Sequence, residues 1–422
     1  MRIVDQGTFG PTPLTPRLAP LNHANKWHSW RGLHLPDAYE GLSPELKALH
    51  HRAVIEDKSP MNYYSFTGIG AAGFLNHLIT RDLEAIPIGA GVYTPWLDEQ
   101  GKVVIDTPVF RLADSHYVTM GGILEDWLSQ HAQGHDVAIE DWSDTKIVMP
   151  LQGPASRGII EAATGESWAE VKFMHGRRTI VGSRDVWVWR AGYTQQLGYE
   201  LHANREDAIE VFDAIFEAGR NFGLMPIGQN AVQVARTEAG IIVPGIDYTR
   251  AGPDAQIAAY ALLDDEGVVS PGEIGLSRLV EVDKTKPFIG KEAYLQEQET
   301  GGPARTLVGL SVEWHDVVAL FEQAGQAPEI TRRIDYRRHK VLHAGDAIGK
   351  ATSLCWSPTI GQQIALAQID RAHATVGAEL TMEWREHGAS LTPARLDDVV
   401  SGTLGATVTP LPFVAKAEKF GS

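Results

Sequence analysis

Residues 192–201 combine two aromatic side chains and one carboxylate at fixed offsets. Two glycines bracket this polar segment and a strand-like run at 186–190 precedes it, which predicts a tight turn on a rigid edge. Tyr193 and Tyr199 offer aromatic faces for stacking, and Glu200 offers a carboxylate that accepts paired N–H donors. Such a set suits a flat, nitrogen-rich ring. By itself the segment is equally compatible with an ordinary strand end followed by a conventional turn.

Other candidate sites carry weaker signals. Residues 68–73 spell G-x-G-x-x-G between a predicted strand and a predicted helix, as in dinucleotide-binding folds, but a run of strands follows instead of alternating strand and helix. His131 and His135 have a metal-ligand spacing, but Gly134 weakens a helix there and no third ligand is near. Cys355 lacks the basic neighbours of a reactive thiolate. The sequence therefore predicts no metal site and no nucleophilic cysteine.

Composition narrows the class of protein. The 422 residues are 43% hydrophobic and 21% charged, as in globular proteins with a large buried core. The net charge of −16 argues against nucleic acid and against an anionic membrane surface as partners. A single cysteine permits no intrachain disulfide, which fits a reducing compartment. With no apolar run of about 18 residues and no signal-like segment, we expect a cytoplasmic protein.

The order of elements predicts an α+β protein in four parts. Residues 1–50 form an irregular arm that ends in a helix starting at Ser43, where proline and an acidic residue follow. Residues 51–143 read as helix followed by strands, which favours antiparallel pairing. Residues 144–303 form a second α+β domain with a loop-rich end. Residues 304–422 contain strand-like runs separated by glycines, which predicts a small all-β barrel or sandwich.

Six short segments occur in a fixed order along the chain, at residues 92–106, 151–154, 192–200, 235–240, 288–293 and 357–361. Together they resemble the glycine-cleavage T-protein family of tetrahydrofolate-dependent one-carbon transferases. The resemblance implies two related α+β domains and a C-terminal β domain around a central folate channel. It also implies tetrahydrofolate as the cofactor.

The resemblance assigns roles to individual residues. Tyr193 and Glu200 fall where the family grips the pterin ring, and Glu200 would accept N–H groups from the amino-pyrimidinone edge. Tyr93 falls where an aromatic residue packs along the cofactor, and Arg236 falls where a cation lies near the anionic portion of folate. Asp106 aligns with the acidic residue at the reaction centre, beside the nitrogen that receives the carbon.

Structural roles stay open for three of these residues. Tyr93 could be a core strand residue, and Asp106 could close a hairpin. Arg236 could pair with Glu238 or Glu200 in a structural network.

The chain also departs from the family pattern. Pro60 and Asn62 stand where the family often has histidine and glycine, and Met-Gly-Gly at 120–122 replaces a common asparagine. These changes argue against an aminomethyl-lipoyl substrate and against a lipoyl carrier protein as partner. The loop at 244–249 instead resembles that of bacterial aryl-methyl-ether demethylases, in which a tyrosine faces the substrate oxygen. Tyr248 is the matching residue, although it could equally lie in a loop with its hydroxyl in water.

The leading hypothesis is a tetrahydrofolate-dependent one-carbon transferase that moves a methyl or methylene group from a small, aromatic, O-linked donor to N5. Asp106 would take the N5 proton, and Tyr248 would protonate a phenolate of similar proton affinity. Aromatic surface for the donor is expected at Trp27, Trp30, Trp96, Phe110 and Trp189. The alternatives are an aminomethyl or N-methyl transferase and a folate-binding protein without turnover.

Overall fold

The computed structural model describes residues 10–254, 267–328, 333–385 and 400–414, so residues 1–9 of the predicted arm lie outside the described ranges. The helices are α1 (Thr15–Leu18), α2 (Leu42–His51), α3 (Ala71–Leu78), α4 (Glu125–His131), α5 (Ser156–Thr164), α6 (Ala208–Gly219), α7 (Gln229–Glu238), α8 (Lys291–Glu299) and α9 (Trp314–Gln323). Within these ranges, no helix is long and apolar enough to cross a bilayer.

Strands form most of the described structure. They are β1 (Gly10–Pro11), β2 (Lys26–Trp30), β3 (Leu33–Ala38), β4 (Val54–Ile55), β5 (Asn62–Thr67), β6 (Gly91–Leu97), β7 (Val103–Ala113), β8 (His116–Gly121), β9 (Ala138–Asp141), β10 (Lys146–Gln152), β11 (Gly176–Val181), β12 (Arg184–Trp189), β13 (Gly198–Asn204), β14 (Met225–Pro226), β15 (Arg305–Val312), β16 (His339–His343), β17 (Asp346–Ser357), β18 (Gln362–Asp370), β19 (Glu379–Arg385) and β20 (Ser401–Thr409). Strands β1, β3 and β2 form a small sheet in the arm.

Two larger sheets repeat one arrangement. The first has strand order β6-β7-β8-β5-β9, and the second has β11-β12-β13-β10-β4-β14. In each sheet, one strand leads into a helix and then into a three-stranded antiparallel meander, and the last strand of the meander pairs with the first strand. The order is β5–α3–β6–β7–β8 in the first sheet and β10–α5–β11–β12–β13 in the second. This confirms the two related α+β units. The repeat lies in topology, so no fixed sequence period reveals it.

The two sheets pack face to face. Phe110 of β7 stacks on Trp189 of β12 with ring centroids 4.2 Å apart, and His202 of β13 meets the ring of Tyr63 from β5 at 5.6 Å. Because alternate residues of a strand point to the same side, these contacts identify the inner face of each sheet. We call the space between them the intersheet layer. The outer faces pack on helices α3 and α5–α6 in separate apolar cores.

The C-terminal part is a closed barrel with strand order β15-β18-β17-β16-β19-β20, which confirms the predicted all-β domain. Strands β16 and β17 and helices α8 and α9 were not predicted. The outer side of the barrel packs on α7, where Cys355 and Ile364 join a core with Val234. Burial raises the pKa of the Cys355 thiol, as expected for a packing residue rather than a nucleophile.

Helix α2 begins at Leu42 with Gly41 as its N-cap, so the predicted start at Ser43 is wrong. The reason is Glu45, whose Oε1 accepts the backbone N–H groups of Tyr39, Glu40 and Gly41 at 2.7–3.0 Å. Its Oε2 accepts the N–H of Gly228 at 2.7 Å. One buried carboxylate therefore joins the start of α2 to the start of α7, which carries Arg236.

The G-x-G-x-x-G segment has a packing role. Strand β5, which precedes it, pairs only antiparallel with its neighbours β8 and β9. A Cβ atom on Gly70 would lie 2.7 Å from the carbonyl oxygen of Asp136, and one on Gly68 would lie 2.8 Å from the same atom. The glycines therefore let the connection before β9 cross the start of α3.

We predict opposite effects for two glycines of this segment. Gly70→Ala forces a Cβ against a backbone carbonyl and should lower the free energy of unfolding by about 1–3 kcal/mol. Gly73→Ala is the matched control, because it lies inside α3 with no heavy atom within 4 Å of its Cβ position. It should be neutral or stabilise by about 0.5–1 kcal/mol. Urea denaturation measures both, and a Gly70→Ala protein as stable as wild type would contradict the packing assignment.

Candidate active site

Asp106 lies at the centre of a three-residue cluster. Its side chain projects from the middle of β7 and is only 6% exposed. Tyr93 of β6 donates its hydroxyl to Oδ2, and Tyr248, from the loop after α7, donates its hydroxyl to Oδ1. Burial raises the pKa of Asp106, while the two hydroxyl donors act in the opposite direction. The chain thus holds one buried carboxylate between two phenols.

The tyrosines of this cluster are held as proton donors. Burial, followed by the negative charge of Asp106, raises the pKa of both Tyr93 and Tyr248 well above the usual range. Tyr248 is fully buried, so the alternative of a loop tyrosine with its hydroxyl in water is wrong. Asp106 pairs with Pro95 across the sheet rather than closing the hairpin, so that alternative is also wrong.

Strand periodicity directs Asp106 and Glu200 into the same space. Asp106 and Phe110 are four residues apart on β7 and share its inner face, because Phe110 stacks on Trp189 of the opposite sheet. Glu200 and His202 share the inner face of β13, because His202 contacts Phe110 at 6.0 Å between centroids. Both carboxylates therefore belong to the intersheet layer.

Glu200 has unused hydrogen-bonding capacity. Its side chain is 13% exposed, and among the described residues Nε2 of His202 lies 3.7 Å from its Oε2, beyond hydrogen-bond distance. In the parts of the chain that the structure describes, Nε2 of His202 and Nε1 of Trp189 are buried without a partner. Buried polar groups are normally hydrogen-bonded, so an open carboxylate beside two such nitrogens fits a polar ring with several N–H and acceptor positions.

Tyr199 does not share this space, contrary to the sequence interpretation. It precedes Glu200 on β13 and therefore points to the opposite side of the sheet. There it is fully buried, and its ring meets Trp168 edge-on at 5.7 Å. Only Tyr193 of the two tyrosines in this segment remains a candidate for ring contact.

Tyr193 is engaged by two residues that sequence reasoning missed. Its hydroxyl donates to both oxygens of Glu56 at 2.9–3.0 Å. Nζ of Lys58 lies 2.8 Å from Glu56, 4.7 Å from the ring centroid of Tyr193 and 5.1 Å from that of Trp30. Burial raises the pKa of Glu56. The available signal was the departure from the family at Pro60 and Asn62, which lies two to four residues after Lys58.

Arg236 is fully buried in a network that includes the barrel. Its donors reach Oε1 of Gln233 at 2.8 Å, the carbonyl of Ile241 at 3.2 Å, Oδ2 of Asp247 at 2.6 Å and Oγ of Ser353 at 2.6 Å. Its ion-pair partner is thus Asp247, and the suggested partners Glu238 and Glu200 are wrong. The role of Arg236 near the anionic part of folate stays a prediction.

The predicted donor aromatics fall into different environments. Phe110 and Trp189 are fully buried and stack within the intersheet layer. Trp96 lies on the other side of its sheet in the α3 core and donates to Thr107, so it cannot line this layer. Trp30 faces Lys58. A surface cavity of about 600 Å³ is lined by residues 11–13, 144–145 and 204–206 and by none of the predicted site residues.

Comparisons with known proteins agree with this architecture. The GCVT N-terminal domain matches residues 20–255, and the glycine cleavage T-protein C-terminal barrel domain matches residues 328–397. The solved structure of glycine cleavage system aminomethyltransferase T from Bartonella henselae superposes with a TM-score of 0.75 at 22% identity, over 96% of this chain and 98% of that one. The fold predicted from the sequence is thereby confirmed.

Similar curated proteins include aminomethyltransferases and a trimethylamine-oxide aldolase. An aminomethyltransferase from Geobacillus thermodenitrificans is 29% identical over 96% of this chain and 99% of its own length. Another from Thermotoga petrophila is 30% identical over 84% of this chain and 88% of its own length. A trimethylamine-oxide aldolase from Ruegeria pomeroyi is 30% identical over 81% of this chain but only 40% of its own length.

We predict that Lys58 stabilises Glu56 as a buried ion. Lys58→Met leaves that carboxylate unpaired and should lower the free energy of unfolding by about 3–5 kcal/mol at neutral pH. Since the variant raises the Glu56 pKa further above its unfolded value of about 4.3, the loss should be smallest at acidic pH and grow as the pH rises. Urea denaturation at several pH values measures this.

The matched control is the double variant Lys58→Met/Glu56→Gln, which removes both charges. It should recover much of the stability and lose the added pH dependence, because no unpaired ion remains. Equal losses for the single and double variants at all pH values would contradict the assigned ion pair.

Proposed function

Because this chain belongs to the glycine cleavage T-protein family, we propose that it transfers a methyl or methylene group from a small, aromatic, O-linked donor to N5 of tetrahydrofolate. Aminomethyltransferases of this family use tetrahydrofolate. The observation that carries the proposal is the Asp106 carboxylate held between the hydroxyls of Tyr93 and Tyr248. That arrangement supplies a proton acceptor and a phenolic acid at one point.

The residues present fit the pterin of tetrahydrofolate. Glu200 has an open carboxylate that would accept paired N–H donors from the amino-pyrimidinone edge, and Tyr193 and Tyr93 would contact the cofactor with their rings. The partnerless nitrogens of Trp189 and His202 lie on the same inner faces as Glu200 and could meet further polar atoms of the ring. Tetrahydrofolate, when bound, supplies the N5 amine that receives the carbon.

Asp106 and Tyr248 would move protons in opposite directions. For a methyl ether, Asp106 would take the proton that N5 gives up. Tyr248 would give its proton to the ether oxygen, so that a phenol leaves. The hydrogen bond between the two residues then returns the proton of Asp106 to Tyr248, so the pair ends as it began. A carboxylate has about four lone-pair sites, so the two tyrosine bonds leave room for this contact.

The charge of Asp106 regulates the acidity of Tyr248. That negative charge contributes to the raised pKa of Tyr248, after burial itself. When Asp106 is protonated the contribution disappears, and Tyr248 becomes a stronger acid at the moment when the leaving oxygen needs a proton. Tyr248 is therefore better suited to protonate a phenolate leaving group than an aliphatic amine, because a phenolate has a proton affinity close to that of a tyrosine side chain. This favours an aryl ether or a methylenedioxy compound.

An aminomethyl or N-methyl donor is the second candidate, and the curated relatives named aminomethyltransferase favour it. In this chain, Pro60 and Asn62 replace the family's histidine and glycine shortly after the buried pair of Glu56 and Lys58, which supports a changed donor. Folate binding without turnover is the third candidate. The products separate them: 5-methyltetrahydrofolate with a free phenol indicates demethylation, 5,10-methylenetetrahydrofolate indicates opening of a methylenedioxy bridge or aminomethyl transfer, and binding without product indicates the third candidate.

We predict that Asp106→Asn binds tetrahydrofolate but transfers carbon at least about 100-fold more slowly, because the amide cannot take the proton. Glu200→Gln should instead weaken tetrahydrofolate binding, since it replaces an ionised acceptor of N–H donors. Incubation with methoxyarene and methylenedioxyarene donors, with mass detection of folate and phenol products, measures turnover, and calorimetry measures binding. Wild-type behaviour of both variants would contradict the site.

The two tyrosines should separate by role. Tyr248→Phe should lower kcat at least about 100-fold with an aryl ether donor, because the acid is missing. Tyr93→Phe is the matched control, since it removes the other hydroxyl on Asp106 and should have a smaller effect on kcat. Both variants remove a hydrogen bond to ionised Asp106, so both should move the acid limb of the kcat profile to higher pH. Equal kcat losses would contradict a specific role for Tyr248.

A further inference from the structure

Asp247, the residue before Tyr248, accepts hydrogen bonds from helix α7, from the loop that follows this helix and from the barrel. Its Oδ2 accepts from Nη1 of Arg236 on α7 at 2.6 Å and from the backbone N–H of Val243 at 2.7 Å. Its Oδ1 accepts from the hydroxyls of Thr352 at 2.7 Å and Ser353 at 2.5 Å, both on barrel strand β17. Asp247 is 1% exposed, so water cannot replace these donors. The carboxylate is thereby held between the second α+β unit and the barrel.

The barrel also holds the peptide that leads into Tyr248. Nε2 of Gln368 on β18 donates to the carbonyl oxygen of Asp247 at 2.8 Å. That carbonyl belongs to the planar peptide joining residues 247 and 248. Its direction therefore also sets the orientation of the backbone nitrogen of Tyr248. The side chain of Tyr248 packs in one apolar cluster with Leu366 of β18 and Val103 of β7.

Ser353 reaches this point through an irregularity of its strand. The pairing of β17 with β18 shifts register between Thr352 and Cys355, and Ser353 there has a φ of +53°, in the left-handed region that disfavours side chains. Its hydroxyl is 2.5 Å from Asp247 and 2.6 Å from Arg236, so it bridges the ion pair. Strained backbone persists only where the surroundings hold it, and such positions concentrate at functional sites.

We propose that Ser353 is a positioning residue: through Asp247 it keeps the hydroxyl of Tyr248 directed at Asp106. The barrel would then do more than cover the α+β units, because its strand irregularity sets the geometry of the reaction centre. The catalytic importance of this positioning rests on the proposed function. The positioning itself does not, because it concerns the direction of one hydroxyl in the protein without folate or donor.

Asp106 itself reports on that direction. The ionised form of its carboxyl is favoured by the hydroxyls of Tyr248 and Tyr93, by the backbone N–H of Asp106 itself and by the positive charge of Arg250. If the Tyr248 hydroxyl turns away, the pKa of Asp106 must rise, because a hydrogen bond to the charged form is lost. A barrel variant remote from Asp247 separates this effect from a general loosening of the barrel.

The test is an NMR titration of the folate-free protein with 13C-labelled aspartate carboxyls, in which Asp106→Asn identifies the signal. Tyr248→Phe should raise the Asp106 pKa by roughly 0.4 to 1 unit. Ser353→Gly removes the bridging hydroxyl yet suits the left-handed backbone, and it should raise that pKa by part of the same shift. The double variant should match Tyr248→Phe alone, since both changes act through one hydrogen bond.

Ser311→Gly on strand β15 is the matched control, because it also replaces a barrel serine with glycine and should leave the Asp106 titration unchanged. Should Ser353→Gly fail to fold, Thr352→Val removes the other hydroxyl on Asp247 while keeping side-chain shape, with the same expectation. Three results would overturn the proposal. They are an Asp106 pKa in Ser353→Gly that is unchanged from wild type, an equal pKa shift in Ser311→Gly, or additive pKa shifts in the double variant.

Discussion

The buried carboxylate of Asp106 accepts hydrogen bonds from two phenols, and this contact constrains the elements around the proposed reaction centre. Asp106 has almost no contact with water, and an ion in that position needs donors fixed in place. Tyr93 reaches it from the neighbouring strand, which sheet pairing alone secures. Tyr248 comes from a loop, and a loop residue needs support from elsewhere. The arrangement of α7 and the barrel around Asp247 provides that support.

The two α+β units contribute different halves of the proposed site. The first supplies Asp106, which would take a proton, and Tyr93, which donates a hydrogen bond to it, and the second supplies Glu200 and Tyr193, the groups for recognition. Because the units share one topology and pack face to face, equivalent inner faces meet, and Asp106 and Glu200 both belong to the layer between them. The stacked rings of the intersheet layer fix the spacing of the sheets there, while Glu200 keeps its acceptors open.

Local sequence patterns predicted the elements well and long-range partners poorly. Helix followed by strands indicated antiparallel units, and glycine-separated strands indicated the barrel, whereas polar helix α8, which buries only Tyr294, gave no apolar stripe to detect. The residues of the reaction centre came from the family resemblance, not from spacing. Ser353 and Arg236 are 117 residues apart, and no local pattern could show that a strand irregularity joins them.

The burial of charge pairs, like the identity of long-range partners, could not be predicted from local sequence patterns. Glu56 and Lys58 follow a two-residue strand and look like an ordinary polar turn, but the surrounding arm buries both beside Tyr193. Only the packed structure distinguishes a solvated pair from a buried one. Likewise, alternation along β13 places Glu200 and Tyr199 on opposite faces of the sheet. Assigning Glu200 to the inner face and Tyr199 to the core requires knowing which face meets the other sheet.

We propose that a reduced pterin binds in the intersheet layer, between the carboxylates of the two units. A crystal structure of the complex with 5-methyltetrahydrofolate should show the amino-pyrimidinone edge within hydrogen-bond distance of Glu200 and N5 facing Asp106. A pterin bound outside the layer, or one oriented with N5 away from Asp106, would overturn this proposal.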